Sequence, residues 1–148
     1  MDTATGKASD EAQVRQLIDN WVVALRARDV NGMMAVYSPD VLVFAATPPL
    51  DFTGAEEYRA QWERMFSSIQ GPVGCEIRDL KITARDDIAF SHSLNRLSGK
   101  MKDGDGKFPL VRITLCFRKV GGTWMVTHEH ASVPFDPESG NASLDLEP

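Results

Sequence analysis

The chain has 148 residues, 43% apolar and 25% charged, the profile of a folded globular protein rather than a disordered one. Its net charge of −5 argues against a surface that tracks phosphates, so no nucleic-acid partner is expected. No run approaches the ~18 consecutive apolar residues of a membrane span, and the opening MDTATGKASDEAQ lacks the apolar core of a signal peptide. A cytoplasmic protein without membrane contact is the expectation, folded as one domain over residues 1–148 with residues 1–8 flexible and 134–148 an acidic tail.

Ser9 or Asp10 caps a first helix, in which Val14, Leu17, Ile18, Trp21 and Leu25 recur on one apolar face before a stop near Arg28. Asp29 caps a short second helix carrying Met33, Met34, Val36 and Tyr37, closed by Ser38 and Pro39. Val41 to Ala46 reads as a buried strand ended by Pro48 and Pro49. Thr53-Gly-Ala-Glu56 matches a capping box, in which hydroxyl and carboxylate satisfy each other's backbone donors. The stripe Tyr58, Trp62, Met65, Phe66, Ile69 then predicts a third helix, terminated by Gly71-Pro72.

Everything beyond reads as sheet. Cys75, Ile77, Leu80 and Ile82 are strand-like, with a phase slip at Asp79 that predicts a bulge. Ile88 to Ser98 is a further strand, and Lys102 to Lys107 a hairpin connection. Phe108 to Lys119 and Thr123 to Val133 are joined by Gly121-Gly122, a strong two-residue hairpin signal. Helices first and long antiparallel strands last is the α+β pattern. About three helices cannot cover both faces of such a sheet, so a curled sheet closed by helices on its concave side, with a pocket between, is the economical solution. Cys75 and Cys116 have no CxxC spacing and fit buried free thiols better than a disulfide. Leu144 and Leu146 favour partial docking of the tail as an edge segment.

The stretch TWMVTHEHASVPFD sets His128 and His130 two residues apart. If Gly121 and Gly122 form the whole loop, Phe117 opposes Val126 and Leu115 opposes His128. The histidines then share a face with Ile113, Leu115 and Phe117, while Arg112 lies on the other face within reach of Glu129, unless a bulge intervenes. Three readings stay open for the imidazoles: groups bonded to backbone or a carboxylate, polar anchors of a ligand pocket, or ligands of a metal. Catalytic zinc wants three protein ligands, and His92 is the one further histidine, on a separate strand. No metal and no cofactor is expected. There is no nucleophile elbow and no phosphate loop. Trp21, Tyr37, Phe44, Trp62 and Phe66 are candidate apolar lining, as readily plain core.

Taken together, W-V-V-A-L-R-A-R-D-V-N-G-M-M-A-V-Y-S-P-D, DIAFSHSLNRLSG and VRITLCFRKVGGTWMVTHEHASVPFD resemble the SnoaL-like and ketosteroid-isomerase-like proteins of the nuclear-transport-factor-two-like superfamily, from about Asp10 to Pro148. The resemblance implies a cone-shaped α+β barrel with a pocket and a homodimer through the outer sheet face. Ketosteroid isomerases use an aspartate base with a tyrosine and a protonated aspartate. Matching the chain to that pattern puts Trp21 at the tyrosine, Ala45 at the base and Thr114 at the second aspartate, so the isomerase acid–base set is missing. An enzyme on this scaffold would use His128 or His130 as base, with Asn95, Arg112 or Thr114 polarising a carbonyl. The expected function is binding, with isomerisation, cyclisation or hydration as the reactions to consider, of a small hydrophobic or carbonyl-bearing metabolite. The alternative is a non-catalytic binding or oligomerisation module resembling a kinase association domain.

Overall fold

A computed structural model describes residues 3–104 and 108–148, with side chains described from residue 9 onward in the first helix. Three helices accompany one curved, unclosed six-stranded sheet. The helices are α1 (Thr3–Arg26), α2 (Val30–Met34) and α3 (Ala55–Ser67). The strands are β1 (Tyr37–Phe44), β2 (Phe52–Thr53), β3 (Ile69–Arg85), β4 (Ile88–Met101), β5 (Val111–Val120) and β6 (Thr123–Ser132). Their order across the sheet is β2-β1-β6-β5-β4-β3, antiparallel throughout except for the β1–β6 pair. That parallel pair joins the first strand to the last, and it brings Tyr37 and Val43 beside residues of β6.

The apolar stripe of α1 buries Val14, Ile18 and Leu25, and the helix packs on β3. Arg28 leaves the helix with φ 55, a left-handed conformation that costs a side-chain-bearing residue energy. Its guanidinium offsets that cost by donating to the carbonyls of Phe66 (3.1 Å), Ile69 (3.0 Å) and Gly71 (2.5 Å), which ties the end of α1 to the end of α3. Asp29 caps α2 through its carboxylate on the Gly32 amide at 3.0 Å.

Several boundaries differ from the sequence reading. The first helix starts ahead of Ser9 and Asp10. The second ends at Met34, and Tyr37 to Pro39 join β1, because the buried parallel partner β6 recruits them. The capping box is replaced by a neighbouring contact: Gly54 occupies the cap position, and Glu57 rather than Glu56 reaches back to the Thr53 amide at 2.9 Å. Ile69 and Gly71-Pro72 begin β3 instead of ending α3. The connection expected over Lys102 to Lys107 falls partly outside the described residues.

Two turn expectations hold. Asp79 has φ 55 at a register shift between Arg78 and Lys81, the predicted bulge. Gly121 and Gly122, with φ 58 and 82, form the two-residue loop that puts Val120 opposite Thr123. Both cysteines are free, Cys75 buried and Cys116 half-buried. The tail crosses to the outer sheet surface, where Glu147 meets Arg96 at 2.6 Å and Arg78 at 3.5 Å. Docking is thus through charge, and Leu144 and Leu146 stay about half exposed, at 46% and 54%.

Candidate functional site

The register of the last hairpin decides which side chains can meet a ligand. Phe117 faces Val126, but a shift between Cys116 and Phe117 follows, and from there Cys116 pairs with His128, Leu115 with Glu129 and Thr114 with His130. Thr127 is the extra residue of a β-bulge. Because side chains alternate with period two, one extra residue exchanges the faces of all that follow. Glu129 therefore turns inward with Leu115 and Phe117, and both histidines turn outward. The expectation that the histidines share a face with Ile113 and Leu115 is overturned, as is an Arg112–Glu129 pair. Arg112 sits opposite Ser132 and donates to its hydroxyl at 3.1 Å.

Between the helices and the inner sheet face lies a cavity of about 240 Å³. Leu17, Ile18 and Trp21 of α1, Tyr58, Gln61 and Trp62 of α3, and Ile113, Leu115 and Phe117 of β5 form much of its wall. The wall is predominantly apolar, and among the described residues Glu129 is the one acidic side chain on it. That carboxylate is buried, with 7% of its surface exposed. Tyr37 donates its hydroxyl proton to Oε1 at 2.6 Å, and Tyr58 donates to Oε2 at 2.5 Å. The parallel β1–β6 pairing delivers the first phenol, and the apolar stripe of α3 the second. Their rings meet edge to face at 5.5 Å, which fixes both hydroxyls relative to the acid.

Burial raises the Glu129 pKa, and it outweighs the lowering by the two tyrosine hydrogen bonds and nearby His128. Burial beside the same carboxylate pushes both phenols well above their usual value, so Tyr37 and Tyr58 stay protonated donors. The Trp62 indole N–H lies near the Tyr58 oxygen and lowers that phenol's pKa without reaching full hydrogen-bond geometry. The Trp21 N–H is buried without a partner among the described residues, and its ring packs edge-on to Trp62 at 5.6 Å. A mostly apolar site holding one acid, two fixed phenols and a spare N–H donor can hold a polar ligand group and move a proton.

Of the residues singled out in the sequence, Trp21, Tyr37, Trp62 and Asn95 line this cavity. Phe66 belongs to the core beneath the Arg28 guanidinium, 5.6 Å from its ring centre. Phe44 stands on the outer face, with its ring 4.9 Å from His128 and 5.4 Å from His130. His128 Nδ1 bonds the Leu42 carbonyl at 2.7 Å, and His130 is exposed. His92, Arg112 and Thr114 do come together, but in a shallow outer depression beside Asp79. Trp21 and Ala45, matched to the isomerase tyrosine and base, both line the cavity, whereas Thr114 does not. Among the described residues, no group of three or more His, Cys, Asp or Glu is placed to hold a metal ion, and no helix is long and apolar enough to cross a membrane.

Glu129 and Tyr58 escaped the sequence reading as site residues. A signal for them was present, since the chain has 2 tyrosines and both fall in apolar stripes where a buried hydroxyl needs an acceptor.

The model of the SnoaL-like domain matches residues 14–136. Among solved structures, an NTF2-like protein of unknown function from Pseudomonas putida KT2440 is 38% identical, with a TM-score of 0.86 over 95% of this chain and 98% of that one. A ketosteroid isomerase-like protein from Erwinia carotovora atroseptica is 18% identical and shares the fold, with a TM-score of 0.69 over 83% of this chain and 95% of that one. No curated protein matches the chain.

Proposed function

The chain belongs to the SnoaL-like family, and from that premise we propose that its cavity binds a small hydrophobic or carbonyl-bearing molecule with Glu129 as the acid–base group. The observation that carries the reading is the buried Glu129 carboxyl held on an apolar cavity wall by two tyrosine hydroxyls. Ligand pockets of this kind combine a mostly apolar wall with a few placed polar groups. Isomerisation, cyclisation and the gain or loss of water share one requirement, a proton delivered to or taken from the bound molecule. A carboxyl whose pKa is raised by burial suits that task better than an exposed one. The tyrosines act on the acid rather than on the ligand, fixing both oxygens and supporting the charge when the proton leaves. The unpartnered Trp21 N–H offers a donor for a ligand oxygen.

His128 and His130 take no part in this scheme, because they lie on the far side of the sheet. They contribute instead to the outer face, where Leu42 and Phe90 are 36% and 46% exposed. A homodimer through that face belongs to the proposal, since it would cover these apolar groups.

The test is a thermal-shift screen with apolar aromatic ketones and naphthols, run on the wild type and on Glu129→Gln. Binding compounds should raise the wild-type melting temperature, and the shift should shrink by at least half in the variant. A screen without a single stabilising compound, or shifts identical in both proteins, would sink the reading.

A further inference from the structure

Asn95 is the second amide-bearing or acidic group that the sheet turns into the cavity, and it lies on β4, with β5 between it and Glu129. It pairs with Val111 across the β4–β5 ladder and with Ile77 across β3–β4, so its neighbours on the wall are apolar. The Ser93 hydroxyl donates to Asn95 Oδ1 at 2.7 Å. That bond occupies the amide's acceptor and fixes the orientation of the group. The Nδ2 hydrogens have no partner among the described residues. A half-buried amide N–H pair beside an apolar void can donate to an acceptor oxygen on the occupant.

Position sets the length of that occupant. Glu129 pairs with Leu115 and Asn95 with Val111, so the two lie four residues apart along the strands and, with β5 between them, two strand spacings apart across. Their backbones are thus separated by about 16 Å, so a ligand touching both side chains is an elongated one with its polar groups at opposite ends.

We infer that Asn95 is a specificity-determining residue which donates to an acceptor oxygen at the end of the ligand remote from Glu129, so that the ligand class is an elongated apolar molecule oxygenated at both ends. Fused two-ring and three-ring skeletons are elongated and match the apolar character of the cavity wall. The inference rests on the cavity being the ligand site. Ser93 is the positioning residue, since it holds the amide with its donor free.

The test uses two compounds of matched shape, 6-acetyl-2-naphthol and 6-ethyl-2-naphthol, titrated into the full chain by fluorescence. They share the hydroxyl and the ring system and differ in the second oxygen. The wild type should bind the ketone at least about tenfold more tightly than the ethyl compound. Asn95→Leu should erase that advantage. Asn95→Asp, which keeps the shape and replaces the donor by an acceptor, should erase it too, and it carries the test should the leucine variant fail to fold. Equal affinity of the two compounds for the wild type, or a preference that survives both substitutions, overturns the inference and leaves the cavity as a ligand site. If neither compound binds, the cavity reading falls and the inference falls with it.

Discussion

The two faces of the β5–β6 hairpin share one backbone and differ in everything chemical. The inner face carries Ile113, Leu115, Phe117 and Val126 with a single acid, Glu129; the outer face carries Arg112, Thr114, Cys116, His128 and His130. The outer face is richer in groups associated with catalysis, yet they stand half-buried or exposed on an open sheet surface. His128 spends one ring nitrogen on Leu42. The inner face has one titratable group, and there burial alters its proton affinity and two phenols hold it in place. The environment a side chain faces decides what it can do, more than the motif in which it occurs.

The contrast between the faces is largest at Phe117, which is 1% exposed, against its exposed neighbour Arg118. Phe117→Ala should cost about 4 kcal/mol in urea unfolding, whereas Arg118→Ala should stay within about 0.5 kcal/mol. Losses of similar size would mean that the faces are wrongly assigned.

A smaller effect appears in the pH dependence of stability. The folded-state pKa of Glu129 is raised above the ordinary 4.5, so folding disfavours its charged form. Stability is therefore free of this penalty below the ordinary value and declines as pH rises through the folded pKa. Glu129→Gln cannot ionise at this position. The wild-type stability profile minus that of the variant should slope downward over that window, and a flat difference would contradict burial of the acid.

The sequence made local features legible wherever one or two residues dictate the backbone. Asp29 announced its cap, Asp79 its bulge and Gly121-Gly122 their turn. The apolar stripes located all three helices and the four long strands. What escaped was non-local. Nothing in Val126-Thr127-His128 marks a bulge, since no glycine or proline stands there, yet that one residue exchanges the two faces. The parallel β1–β6 pairing was equally hidden, and without it Tyr37 has no route to Glu129. Two of the wall residues, Trp21 and Trp62, were legible because helical periodicity is robust to a slip of one position elsewhere. The acid at the centre was read onto the wrong side of the sheet, because strand alternation is not.

The most direct measurement is the titration of the Glu129 carboxyl carbon, followed by NMR in the wild type and in Tyr37→Phe. Burial should place its midpoint above those of the exposed glutamates. Loss of the Tyr37 hydrogen bond, which favours the ionised form, should move it higher still. A Glu129 that titrates among the surface carboxylates, unmoved by the substitution, would contradict the assignment of this residue as the buried acid of the cavity.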